Sequence, residues 1–173
     1  MSDLRKTFSK IYDQNIDRIY RFIFLKVNSQ EVAQDLCSET FLRTWEKFKQ
    51  GKENPIDNPS AFLYRTARNL IIDHYRKKGR TQVVSTELTP IIDPREDLEE
   101  KAILRSDLNV VRKALTGLKE DYQDVIIWHY LDDLPIPEVS ELLDRSEAAT
   151  RVLLHRALKA LKTEINKQEV KEV

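Results

Sequence analysis

Arg151, His155, Arg156, Lys159 and Lys162 lie within twelve residues of one another near the end of the chain. The spacing predicts a helix over 147–162. At 100° per residue, Ala148, Arg151, Val152, His155, Arg156 and Lys159 gather on one side of it. Thr150, Leu154, Ala157, Leu158, Leu161 and Ile165 gather on the other. One face can hold a domain together while the other meets a nucleic acid. An arginine can donate two parallel bonds to guanine O6 and N7, worth roughly 1–3 kcal/mol of discrimination. Lysines further along suit phosphates. Ser146 is placed to cap the helix, with Glu147 directly after it. A shorter pattern, Pro137 to Leu143, precedes it, with Val139, Leu142 and Leu143 facing inward and a polar turn at Asp144-Arg145. A basic face alone suits any solvated helix. The short helix, tight turn and longer basic helix together fit a helix-turn-helix that enters the major groove.

Two further faces carry possible chemistry. In the pattern that opens at Asn58-Pro59, Arg65, Arg68, Asn69, Arg76 and Arg80 share a broad side, with Asp73 at its edge and Phe62, Tyr64 and Tyr75 interleaved. Basic groups among aromatics suit unpaired nucleic acid, because a base stacked on a ring gains about 1–3 kcal/mol. The same residues also read as a core of aromatics beneath a solvated face. In the preceding pattern, Asp35, Glu39, Leu42, Arg43 and Glu46 lie opposite Cys37, Phe41, Thr44 and Phe48. That leaves Leu42 and Val32 partly exposed beside charges. The patch admits a protein-docking reading and one of ordinary scattered exposure.

Catalytic chemistry finds no support. There is no nucleophile–base pair, metal-ligand cluster or glycine-rich phosphate loop, and His74, His129 and His155 are scattered. The expectation is a non-enzyme with no cofactor and no metal. Cys37 stands alone and on an apolar side, which predicts a buried, inert thiol.

Apolar residues recur at helical spacing almost throughout the 173 residues. The expected fold is all-α: two small helical domains joined by a flexible linker, the C-terminal one a helix-turn-helix. The boundaries are 1–80, a linker at 81–96 that holds Pro90 and Pro94, and 97–173. The first helix pattern runs from about Asp3 to Val27, and the second from an Asn28 cap to about Gln50. The third ends near Lys78. Gly51, Gly79 and Gly117 each follow a helical run, where a left-handed cap is expected. In the second domain one helix starts near Arg95 and ends at Gly117, and another spans 119–133. No apolar run is long enough for a membrane span, and the N-terminus reads as no signal peptide, so a cytoplasmic protein without membrane insertion is expected.

The formal charge is zero, but it is segregated. Residues 1–80 hold 16 Lys and Arg against 10 Asp and Glu, whereas residues 106–173 hold 10 against 13. Within the latter, 146–162 hold four bases and one acid. Local faces are what a phosphate backbone senses within a Debye length of about 8–10 Å.

Three segments resemble a known family. Asp35-Leu36-Cys37-Ser38-Glu39-Thr40-Phe41-Leu42-Arg43-Thr44-Trp45 resembles the polymerase-binding helix of bacterial sigma factors. Ala61 to Arg76 resembles their promoter-melting, minus-ten-reading helix, and Leu118 to Leu161 their minus-thirty-five-reading domain. Order, spacing and size match the extracytoplasmic-function (ECF) group. The resemblance implies core RNA polymerase and promoter DNA as partners, with an anti-sigma factor as regulator. It implies polymerase contacts at Asp35, Glu39, Leu42 and Arg43. Minus-ten contacts would fall on Tyr64, Arg65, Arg68, Asn69, Asp73 and Arg76, with the loop from Lys52 to Asn58 beside a captured base. Minus-thirty-five contacts would fall on Ser146, Glu147, Arg151, Val152, His155, Arg156 and Lys159. The linker would thread toward the polymerase active-site channel. Asp144 stands where the family usually has glycine.

Overall fold

The computed structural model describes residues 2–51, 55–80 and 109–172. All regular structure among them is helical. The chain divides into two compact units, Met1–Glu87 and Leu88–Val173. The expected linker 81–96, and the start of the helix expected near Arg95, lie outside the described residues.

The first unit packs three helices: α1 (Ser2–Val27), α2 (Gln30–Lys49) and α3 (Pro59–Arg80). Ile19, Phe22, Ile23, Ala33, Cys37, Phe41, Leu63, Tyr64, Ala67, Leu70 and Ile71 are buried between them. Two polar ties fix α1 against α3. Ser60 Oγ donates to Asn15 Oδ1 at 2.7 Å, and Tyr75 donates its hydroxyl proton to the Lys26 carbonyl. Thr40 and Thr44 are fully enclosed in α2, and their hydroxyls donate back to the carbonyls of Leu36 and Thr40, both at 2.7 Å. Each buried donor is thereby satisfied within its own helix.

The caps differ from expectation in informative ways. Ser29, not Asn28, caps α2; its Oγ accepts from the Val32 amide at 3.3 Å. Asn28 instead ends α1 in a left-handed conformation (φ 56°), with its amide donating to the Phe24 carbonyl at 2.9 Å. Asparagine tolerates this geometry better than most residues. Of the three glycines only Gly51 has positive φ. Gly79 lies inside α3, which runs one residue further to Arg80. Asn58 caps α3 as expected, accepting from the Ala61 amide at 3.2 Å, and Pro59 follows where no amide proton is needed.

The second unit contains α4 (described over 109–116), α5 (Glu120–Ile126), α6 (Ile136–Leu143) and α7 (Glu147–Glu172). The helix expected over 119–133 changes pitch: α5 passes into a π-helical turn, Ile127–Leu131. Its closing bond runs five residues back, from the Asp132 amide to the Ile127 carbonyl at 3.0 Å. His129 Nδ1 lies 2.9 Å from the Leu134 carbonyl. A carbonyl only accepts, so that nitrogen carries the proton and His129 braces the turn. Asp133 then takes a left-handed conformation and the chain enters α6.

The core here comprises Ala114, Leu115, Val125, Ile126, Ile127, Trp128, Leu134, Val139, Leu142, Leu143, Leu153, Leu154 and Ala157. Asp144 links α6 to α7 at φ 54°, ψ 47°. An L-residue with a Cβ is disfavoured there, and glycine is not. Asp144→Gly should therefore stabilise this unit by up to about 1 kcal/mol and raise its thermal midpoint by a few degrees. Circular dichroism melts of both chains check this. A lower midpoint for the glycine variant would show that the aspartate contributes more than its backbone costs.

Candidate functional site

The candidate residues lie on exposed helix faces of α2, α3 and α7. On α2, Ala33, Cys37, Thr40, Phe41 and Thr44 turn inward. Asp35, Leu42, Arg43 and Glu46 are therefore exposed, and Glu39 is half-buried. Leu42 leaves 52% of its surface to solvent. Arg43 Nε donates to Glu39 Oε1 at 2.8 Å, one turn apart. The pair is open to water and adds only tenths of a kcal/mol to the helix. Its consequence is positional: it holds two opposite charges beside an uncovered leucine. The four residues singled out on α2 thus share one surface.

On α3, Arg65, Asn69, Asp73 and Arg76 are exposed along one side, and Arg68 is half-buried beside them. Tyr64 does not join them. It is 0% exposed and meets Phe22 edge-on, with ring centroids 5.7 Å apart. A ring enclosed this way has no face left for a base, so Tyr64 is a core residue and its expected DNA contact is corrected. The accessible ring is Tyr75, 44% exposed and tethered by its hydroxyl to Lys26. The packing of Phe22 on Tyr64 and the tether of Tyr75 to Lys26 separate the two rings, and both are long-range contacts that the sequence does not show. Next to it, burial and then the nearby Lys78 push the His74 pKa down, which keeps that imidazole neutral at pH 7. Residues 52–54 of the loop before α3 lie outside the described residues.

On α7 the division is clean. Thr150 and Ala157 are fully buried and Leu154 nearly so, while Leu158, Leu161 and Ile165 are half-buried. Ser146, Glu147, Arg151, Val152, His155, Arg156 and Lys159 are all exposed. Ser146 Oγ accepts from the Ala149 amide at 3.1 Å, which satisfies one free amide at the helix start. Thr150 Oγ1 donates to the Ser146 carbonyl at 2.9 Å. Glu147 lies 3.5 Å from Arg151 in an exposed pair. Arg145, in the turn, donates to Asp121 of α5 at 2.7 Å and ties the turn to the rest of the unit. Leu153 is also buried, which widens the core stripe beyond the predicted one.

This unit is electrically two-sided along the chain. From Glu120 to Asp144 there are eight acids and no lysine or arginine, whereas Arg145 to Lys162 holds five bases and one acid. Among the described residues no group of three or more His, Cys, Asp or Glu could hold a metal ion. No described helix is long and apolar enough to cross a membrane.

Both units match known proteins. The sigma-70 region 2 family matches residues 11–81, and the sigma-70 region 4 family matches residues 108–161. The chain is 28% identical over 159 residues to the ECF RNA polymerase sigma factor BldN of Streptomyces coelicolor, covering 89% of this chain and 58% of that protein. It is 29% identical to SigW and 26% identical to SigM of Bacillus subtilis, both also ECF sigma factors. Those alignments cover 91% and 93% of this chain, and 88% and 96% of the relatives. The fold is similar to that of the sigma factor RpoE from Bartonella quintana, solved with the anti-sigma factor NepR (TM-score 0.70, 18% identity, 96% of this chain and 98% of that one). It is also similar to CnrH, solved with the cytosolic domain of CnrY (TM-score 0.67, 15% identity, 94% of this chain and 90% of that one). The two matched regions, in this order and separated as the two units are, define a sigma-70-type transcription initiation factor. The chain belongs to the ECF group of that family.

The inner face of α2 carries one titration with a stability consequence. Cys37 is 4% exposed, and burial pushes its thiol up from 9.0 to about 11. Below the ordinary thiol range both folded and unfolded chains hold the proton. As pH rises through 9, the unfolded thiol ionises first, which favours unfolding until about pH 11. The wild type should therefore lose more stability than Cys37→Ala between pH 8 and pH 10.5 in reducing buffer. Parallel urea titrations of the two chains would show the difference; equal slopes would mean the native thiol ionises freely.

Proposed function

We propose that this chain is an alternative sigma factor: it binds core RNA polymerase and directs promoter-specific initiation. The observation that carries the reading is the pair of uncovered faces. The α2 surface of Asp35, Glu39, Leu42 and Arg43 lies in the unit matched by region 2, and the α7 surface lies in the unit matched by region 4. A half-exposed leucine among fixed charges suits a protein partner. Exposed arginines beside Val152 suit a major groove.

In this mechanism α2 docks on the polymerase. The α7 face of Ser146, Glu147, Arg151, Val152, His155, Arg156 and Lys159 reads the minus-thirty-five element of duplex DNA. Arg65, Arg68, Asn69, Asp73 and Arg76 on α3 engage the minus-ten element, where Tyr75 takes the aromatic role first given to Tyr64. Unstacking a base costs a few kcal/mol, and stacking on an accessible ring returns about 1–3 kcal/mol per base. The expected boundaries, 1–80 for polymerase and minus-ten contacts and 97–173 for minus-thirty-five contacts, belong to this proposal. So does action in the cytoplasm, and so does an anti-sigma factor that restrains the chain; the RpoE–NepR complex supports the latter.

The test is transcription in vitro with purified core polymerase on fragmented genomic DNA, with RNA 5′ ends mapped. The chain should create new start sites that share two upstream motifs at fixed spacing. The double substitution Asp35→Ala, Arg43→Glu should abolish those starts by at least tenfold while leaving salt-sensitive binding of the chain to DNA intact. No new starts, with DNA binding by the chain alone, would replace this reading with a regulator that works without polymerase.

A further inference from the structure

The α7 face is not uniformly basic. At 100° per residue its centre line is Ala148, Val152, His155 and Lys159, and the arginines flank it, Arg151 on one side and Arg156 on the other. The first turn and a half of that line is therefore apolar. Val152 keeps 50% of its surface in solvent and Ala148 is exposed. The two are one helical turn apart, so they form a continuous small apolar strip. Among the described residues nothing covers the strip, although Leu153 and Leu154, directly after Val152, are buried at 8% and 9%. A branched apolar side chain at the centre of a charged face gains nothing from water, and it cannot hydrogen-bond a base edge. The one apolar group that a base pair presents in the major groove is the thymine 5-methyl.

We infer that Val152, with Ala148 beside it, reads a thymine methyl in the upstream element. The inference rests on the α7 face reading duplex DNA as proposed above. Val152 is then a specificity residue that distinguishes T·A from C·G and from A·T at one position. The flanking Arg151 and Arg156 meet guanine edges or phosphates to either side. Glu147 lies against Arg151 in the same turn, which gives that arginine a preferred starting position. The inward-facing Thr150 is fully buried and donates to the Ser146 carbonyl, so it takes no part in readout.

The experiment uses the full chain with core polymerase. An upstream motif is first obtained from the mapped start sites. Each thymine of that motif, on either strand, is then replaced singly by deoxyuridine, which removes only the methyl group. Affinity is measured by competition at fixed salt. Burying one methyl group corresponds to roughly a fourfold change in affinity. Wild type should lose about that factor at one thymine position, and 5-bromodeoxyuridine there should restore it. Val152→Ser, which removes both methyl groups at an exposed position and is verified folded by circular dichroism, should show less than half of that discrimination at the same position and unchanged discrimination at positions read by the arginines.

Equal binding by wild type to every deoxyuridine duplex overturns the inference while leaving the sigma-factor reading intact. So does a methyl effect that survives undiminished in Val152→Ser. A motif without thymine in the upstream element overturns it as well. Failure to obtain any motif removes the underlying reading, and the inference falls with it.

Discussion

Everything the C-terminal unit does depends on one helix serving two solvents. The inward face of α7 supplies Thr150, Leu153, Leu154 and Ala157 to the core. Its outward face must stay free of that core to present Arg151, Val152, His155, Arg156 and Lys159. A fully buried leucine stabilises by about 1.5–3 kcal/mol, so loss of the inward stripe would release the helix long before any DNA contact could hold it. The turn before α7 is under the same constraint. Asp144 accepts a left-handed backbone so that only three residues separate α6 from α7, and Arg145 anchors that turn to Asp121. The π-helical turn after α5 changes the helical register, leaving Tyr130 and Leu131 exposed and Asp132 buried.

The first unit solves the same problem with more surface to offer. Three helices enclose an aromatic and aliphatic core, and α2 and α3 each keep one side uncovered. The uncovered sides differ in chemistry. The side on α2 mixes both signs of charge with a bare leucine, which suits a protein. The side on α3 is mainly basic, with one accessible tyrosine ring, which suits unpaired nucleic acid. Neutral total charge is thus compatible with DNA binding, because basic groups outnumber acids on particular faces and segments. Proteins sense potential locally at physiological salt, within about one Debye length of about 8 Å.

Much of this was legible in the sequence. The inward and outward faces of α7 follow directly from a period of 3.6, and so does the exposure of Leu42 opposite Cys37. The caps at Asn58 and Ser146 were readable because the signal lies within three residues. What was not legible depended on contacts distant in sequence or on degenerate local choices. Asn28 and Ser29 are both good caps, and only the backbone shows that the first ends α1 and the second starts α2. Tyr64 and Tyr75 both border the basic side of α3; the packing of Phe22 against one and the tether of Lys26 to the other separate them. The π-helical turn has no composition signature in Ile127–Leu131, since it differs from an α-helix by one residue of register. Gly79 and Gly117 carried the same expectation as Gly51, yet glycine also occupies right-handed conformations, and there the residue type alone does not decide.

The central claim is that polymerase and this chain open promoter DNA together and that neither does so alone. Permanganate oxidation of unpaired thymines measures this directly on a promoter fragment defined by its mapped start. The account predicts reactive thymines immediately upstream of the start only when chain and core polymerase are both present, with the signal lost as salt is raised. Reactivity with core polymerase alone, or a fully paired duplex in the presence of both, would contradict it.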